Sequence, residues 1–179
     1  TPSRTSASPG LHVPKLLCLP LTVEEIHQIE ADYRESVKAA VRCGADCIEI
    51  HAYGGYLTDQ FLTARWNDRT DEYGGSVEKR ARFLKNLIDI CKEEGGKDFP
   101  VIVKYTPDHY MDEEGYRKIE EGIELTKLLV SYGVDALHID AGCHENWYTA
   151  MPPAGLQPIT PPSRSAKLIK SIVDIPVLT

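Results

Sequence analysis

The chain is short of positive charge. Its 179 residues include 20 Lys plus Arg against 27 Asp plus Glu, a formal net charge of −7. That balance argues against a nucleic-acid partner, which requires a basic face, but still permits a local cationic pocket. No apolar run approaches the roughly 20 residues of a membrane-spanning helix, so no membrane partner is expected. The opening residues, Thr1 to Pro9, are small and polar and lack the apolar centre of a signal peptide. Cysteine is sparse: five residues, an odd number, with no Cys-x-x-Cys pair. Reduced thiols in a cytoplasmic protein fit this better than a disulfide framework. No strand end gathers three His or carboxylate residues, so no metal centre is expected. The first residue is Thr rather than Met and the last residues read as a buried strand, so a segment of a longer protein is expected.

What remains is the composition of one globular domain, 42% hydrophobic and 26% charged. Its elements are signposted. Thr22 and Glu25 form a T-x-x-E capping box. Ile26, Ile29, Tyr33, Val37, Ala40 and Val41 recur on one helical face, and Gly44 stops that helix. A strand follows at 47–50. A second helix begins near Ser76, a plausible N-cap, and carries Phe83, Leu84, Leu87, Ile88 and Cys91 inward as far as Gly95-Gly96. Then come a strand at 101–103, a helix from about Arg117 to Ser131, and a strand at 136–139. A fourth helix, from Arg164 to Val173, leads to a last strand at Val177. Residues 1–21 read as a lead-in loop.

Helix and strand alternate, and the strands are short and apolar, which calls for a parallel sheet covered by helices. The segment from Gly44 to His51 parallels the segment from Gly133 to Asp140, each running Gly, any residue, Asp, strand. Such repeated units fit an α/β fold of the TIM (β/α)₈ type, here a segment with about four parallel strands and their helices. The runner-up, a doubly wound sheet, lacks support because no Gly-rich phosphate loop follows any strand. Four strands leave the barrel open and expose edge N–H and C=O groups.

Chemistry in parallel α/β proteins sits at the C-terminal ends of strands. Those ends carry His51, Lys104 and the segment Asp140 to His144. After His51 comes Ala-Tyr-Gly-Gly-Tyr, in which Gly54-Gly55 permits a sharp turn and Tyr56 can lean back toward the same rim. An imidazole can donate to a carbonyl oxygen, and a phenol with its ordinary pKa near 10 can deliver a proton. The spacing alone also fits a buried histidine and packing tyrosines.

The next stretch is more specific. It runs Gly55-Tyr-Leu-Thr-Asp-Gln-Phe-Leu, and after four residues Asn67-Asp-Arg69-Thr70-Asp71-Glu-Tyr73-Gly74-Gly75-Ser76-Val-Glu78-Lys-Arg80-Ala-Arg82-Phe83. This resembles the signature of the Old Yellow Enzyme family of NADH:flavin oxidoreductases. The resemblance extends from about Thr22 to Thr179. Physically the run reads as scaffold. Asn67, Arg69, Asp71 and Tyr73 pin a loop, Ser76 caps the helix, and Arg80 and Arg82 pair with loop carboxylates.

The resemblance implies an FMN-binding barrel that takes hydride from NAD(P)H and passes it to an activated C=C bond. By the same likeness, His51 donates to the substrate carbonyl and Tyr56 is the proton donor. Lys104 stands where most relatives have an Arg beside the flavin. Gly54 stands where many relatives have a second His or Asn, a departure that removes half of the usual carbonyl clamp. The segment Gly142-Cys-His144-Glu145 is similar to the 2,4-dienoyl-CoA reductase branch, in which a His assists the tyrosine. The following residues, 146–153, are aromatic and Pro-stiffened, similar to bile-acid-inducible oxidoreductases acting on steroid acid-CoA thioesters, and could wall a bulky substrate. Larger members of the branch also carry a 4Fe–4S cluster and FAD- and NAD(P)-binding domains, and the five cysteines here are not spaced for such a cluster. The FMN phosphate site belongs to loops beyond Thr179. The isolated chain is therefore expected to bind FMN weakly, to be inactive, and to associate with itself as an open half-barrel.

Overall fold

The computed structural model describes residues 19–146 and 161–179. Helix α1 spans Val23–Arg42, and its N-terminus carries the expected capping box: the Thr22 side chain accepts from the Glu25 N–H at 3.1 Å, and the Thr22 N–H donates to Glu25 Oε2 at 2.7 Å. Strand β1 is Ile48–Ala52, and β2 is Val101–Tyr105. Between them lie α2 (Leu57–Leu62), α3 (Val77–Arg80) and α4 (Arg82–Gly95). Helix α5 (Ile119–Ser131) leads to β3 (Ala136–Ile139), a 3₁₀ turn at His144–Asn146, α6 (Pro161–Lys170) and β4 (Val177–Leu178).

Several boundaries differ from expectation. The short α2 was not foreseen, because its six residues are too few for a periodic signal. The helix after Ser76 is interrupted at Ala81, whose backbone nonetheless stays right-handed (φ −79°, ψ −7°). Helix α5 begins at Ile119 because Arg117 turns inward instead of starting the helix. Helix α6 lies three residues earlier than Arg164–Val173, since Pro161 suits a first helical turn. Strand β1 runs on through His51 to Ala52, so His51 is inside the strand rather than just past it. The lead-in loop through residue 18 and the aromatic stretch 147–153 lie outside the described residues.

The strands are all parallel and stand in the order β1-β2-β3-β4. A doubly wound sheet reverses its strand order partway; this one does not. Burial tells the same story. Ile50, Ala52, Val101, Val103, Tyr105, Leu137 and Ile139 are buried in one core with Ile26, Val37, Phe83, Leu84, Ile88, Leu125, Leu129 and Ile169 from the helices. The alternate strand positions face the other way: Glu49 and His51 are exposed, and Ile102, Lys104 and His138 only partly covered. Helices on one face and an open inner face are the layout of half a (β/α) barrel. No helix among the described residues is long and apolar enough to cross a membrane.

The long loop after α2 is built as the motif suggested. Asn67 Nδ2 donates to the carbonyls of Phe61 (2.6 Å) and Tyr73 (2.7 Å), and its Oδ1 accepts the Arg69 N–H. Arg69 grips Asp71 through Nε and Nη2 and reaches the Leu21 carbonyl at 2.8 Å. Gly74 lies so close to this loop that a Cβ there would meet Arg69 O at 2.1 Å. Arg82 pairs with the loop carboxylate Glu72, but Arg80 does not follow that pattern. Its guanidinium takes the carbonyls of Leu62 and Gly75 and an ion pair with Glu121 on α5, tying the loop to a second helix.

Candidate active site

The strand ends bring the expected side chains together. His51 and Lys104 are register partners on β1 and β2, both on the open inner face. Past β1 the chain turns through Gly54 (φ +78°) and Gly55 (φ +84°), conformations that a side chain would strain. The turn returns Tyr56 to the rim, 49% exposed. Its ring stands edge-on to His51, centroids 5.2 Å apart, and edge-on to His144, centroids 4.9 Å apart. The loops after β1 and β3 are themselves bridged, Gly54 to Cys143.

Gly54 has a physical reason. A Cβ there would sit 3.5 Å from the Tyr56 ring and 3.8 Å from His144 Nε2. A larger side chain would crowd the contact between those two rings. The turn at Gly54 leaves room for His144 against the Tyr56 ring.

Lys104 Nζ lies 3.0 Å from Asp140 Oδ2 and 5.1 Å from the centre of the Tyr53 ring. Burial, with the Asp140 carboxylate close by, pushes the Tyr53 phenol up to about 12. Burial, with the neighbouring His51 adding to it, pulls His144 below the ordinary histidine value. His144 is therefore neutral at neutral pH and can accept a proton. Tyr53 and Asp140 complete the surroundings of Lys104; the sequence placed Asp140 only as a strand end and gave Tyr53 no role.

Beneath the rim lies a buried ionic group that sequence reasoning missed. Asp59, on α2, is fully buried. Its Oδ2 accepts the Gly55 N–H at 2.9 Å and meets His109 Nε2 at 3.3 Å; its Oδ1 accepts from Arg117 Nη2 at 3.2 Å and from the Thr63 hydroxyl. Arg117 also donates to the Thr106 carbonyl at 2.6 Å. Burial alone would raise the Asp59 carboxyl, but His109, Arg117 and the Gly55 N–H outweigh it and hold the group at about 2.

Two histidines, a tyrosine and a lysine thus share the C-terminal rim of an open (β/α) half-barrel, the edge at which barrel proteins hold their ligands. Residues 11–179 match the model of the NADH:flavin oxidoreductase / NADH oxidase family, and the chain belongs to that family. It is 38% identical to a cinnamate reductase of Clostridium sporogenes over 97% of this chain and 28% of that protein. It is 40% identical to an NADH oxidase of Thermoanaerobacter brockii over 89% of this chain and 24% of the relative. The chain thus spans about a quarter of the length of these relatives. Among solved structures, a 2-naphthoyl-CoA reductase complex superposes with TM-score 0.76 at 28% identity, covering 89% of this chain and 24% of that one. The Old Yellow Enzyme homologue of Zymomonas mobilis superposes with TM-score 0.71 at 26% identity, covering 92% and 44%.

The residues present suit the family's flavin. Lys104 and His51 offer a cation and a hydrogen-bond donor side by side on an open concave face, a donor set matched to the electron-rich edge of a flat heterocycle.

Proposed function

We propose that this chain carries the substrate-protonating half of a flavin-dependent reductase of activated C=C bonds. The observation that supports this most directly is the ring triad: Tyr56 stands edge-on between His51 and His144, with Lys104 in register with His51. The substrate class is an α,β-unsaturated carbonyl compound, as an enone or as an enoyl- or dienoyl-CoA thioester. The names of two relatives, a cinnamate reductase and a 2-naphthoyl-CoA reductase, favour unsaturated acids or thioesters conjugated to a ring. A steroid acid thioester belongs to the same class.

When bound, FMN supplies the hydride for the β-carbon. The chain's own residues do the rest. His51 donates a hydrogen bond to the carbonyl oxygen and draws electron density away from the β-carbon. Tyr56 delivers its hydroxyl proton to the α-carbon. His144, kept neutral by burial and by His51, accepts a hydrogen bond from the phenol and steers its proton. Lys104 places a positive charge beside the cofactor and opposes negative charge gathering there. Asp140 holds that ammonium in place.

The test is Tyr56→Phe in the complete, FMN-loaded enzyme, with the two half-reactions followed separately by rapid mixing. Flavin reduction by NAD(P)H is expected to keep its rate. Flavin reoxidation by the unsaturated substrate is expected to slow by about 10²- to 10⁴-fold, the usual worth of a positioned proton donor. Equal loss in both halves, or no loss in the second, removes Tyr56 from the role.

A further inference from the structure

We propose that His109 is the positioning residue on which the Tyr56–His144 pair is built. The proposal rests on reading those two residues as proton donor and partner. His109 lies in the segment between β2 and α5, is 0% exposed, and touches neither of the residues it positions through its own ring contacts. It is tied to both of their loops.

The first tether runs through the ring. His109 Nδ1 accepts the Arg117 backbone N–H at 3.0 Å, so the ring proton is on Nε2. Nε2 faces Asp59 Oδ2 at 3.3 Å, and that same oxygen accepts the Gly55 N–H at 2.9 Å. Gly55 adjoins Tyr56. The second tether runs through the main chain. The His109 carbonyl accepts from Asn146 Nδ2 at 2.6 Å, while Asn146 Oδ1 accepts the Cys143 N–H at 2.7 Å. Cys143 adjoins His144. Tyr116, from the same segment and beside the His109 ring, adds a hydrogen bond from its hydroxyl to Glu145. Each tether ends one residue from a functional side chain.

The arrangement has a physical purpose. Tyr56 and His144 sit on turns rather than in the sheet, and Tyr56 is half exposed. A misplacement of about 1 Å in such a group costs about 10²-fold in rate. A single buried residue reaching both turns fixes their separation. The His109 Nε2–H faces the Asp59 carboxylate at 3.3 Å in a dry interior, where a hydrogen bond to a charged acceptor is worth more than at the surface.

The experiment is hydrogen exchange by mass spectrometry on the full-length protein, with His109→Leu, His109→Asn and Asn146→Ala. His109→Asn keeps an acceptor in place of Nδ1 but cannot reach Asp59. Asn146→Ala cuts only the second tether. In His109→Leu, which keeps the main-chain carbonyl, exchange at 53–57 is expected to rise by about tenfold or more, with 142–146 and the β2 segment 101–105 unchanged. Unchanged protection at 53–57 in a folded His109→Leu overturns the proposal. Should His109→Leu not fold, the other two variants decide. His109→Asn is expected to loosen 53–57, and Asn146→Ala to loosen 142–146 and slow flavin reoxidation by substrate while sparing flavin reduction. Parent-like exchange in both overturns the proposal. Because exchange reads the tethers and Tyr56→Phe kinetics read the proton, the two readings fail independently.

Discussion

Asp59 shows how a single residue can carry both fold and site. Its carboxyl is held at about 2, below the ordinary 3.8, so it binds its proton less readily folded than unfolded. The stability it contributes is fully present above about pH 4 and is lost as the pH falls from there toward 2, amounting to about 2 kcal/mol across that window. Urea unfolding between pH 6 and 2.5 should show this loss in the parent. In Asp59→Asn the acid-dependent step should be flattened, and the neutral-pH stability should be lower by about 3 kcal/mol because buried Arg117 keeps only the longer 3.8 Å contact with Glu121 as counter-charge. An unchanged acid dependence in Asp59→Asn would assign the step to other carboxylates. Sequence reading found Asp59 only as one letter of a long motif, and took Arg117 for the start of a helix. Their pairing was not legible, since the partners are 58 residues apart and no local period links them. The placement of His51 and Lys104 at strand ends was legible, because a polar residue closes each apolar run; Tyr56 and His144, on turns beyond the strands, were singled out by the likeness to the family.

Elements were legible where a terminus carries its own chemistry. The capping box at Thr22 and the N-cap at Ser76, whose hydroxyl accepts the Lys79 N–H at 3.3 Å, are both where local hydrogen bonding demands them. Helix α2 and the end of α6 were less so, because tertiary contacts rather than propensity decide them. The two kinds of position should respond differently to mutation. Thr22→Ala should cost about 1 kcal/mol, the ordinary worth of an N-cap, and only loosen the start of α1. Gly74→Ala should cost about 3 kcal/mol or more, since its new methyl would press on the Arg69 carbonyl and unseat the Asn67–Arg69–Asp71 clamp. Thermal unfolding of the two variants side by side measures the contrast; equal losses would mean that the clamp gives way without cost.

At the scale of the whole molecule, the sheet is built to be continued. Among the described residues β1 and β4 each have one neighbour, which leaves a row of backbone N–H and C=O groups along Ile48–Ala52 without ladder partners. The inner face is open too, but it is not an apolar patch: Glu49 and His138 hold each other across it at 2.8 Å, with His51 and Lys104 alongside. Charges of that kind oppose face-to-face stacking, so edge pairing of β1 is the easier route to association. The 179-residue chain on its own should therefore sediment as a concentration-dependent mixture of monomer and dimer. It should bind FMN weakly, since Lys104 and His51 lie on a face that no further strand among the described residues covers. Replacing Glu49 with Leu tests which surface governs: it removes a charge from the face and leaves the edge ladder untouched. If edges govern, Glu49→Leu leaves the dimer constant within about threefold, a difference below 1 kcal/mol. A large tightening would show instead that the inner face, relieved of its charge, closes on a second copy.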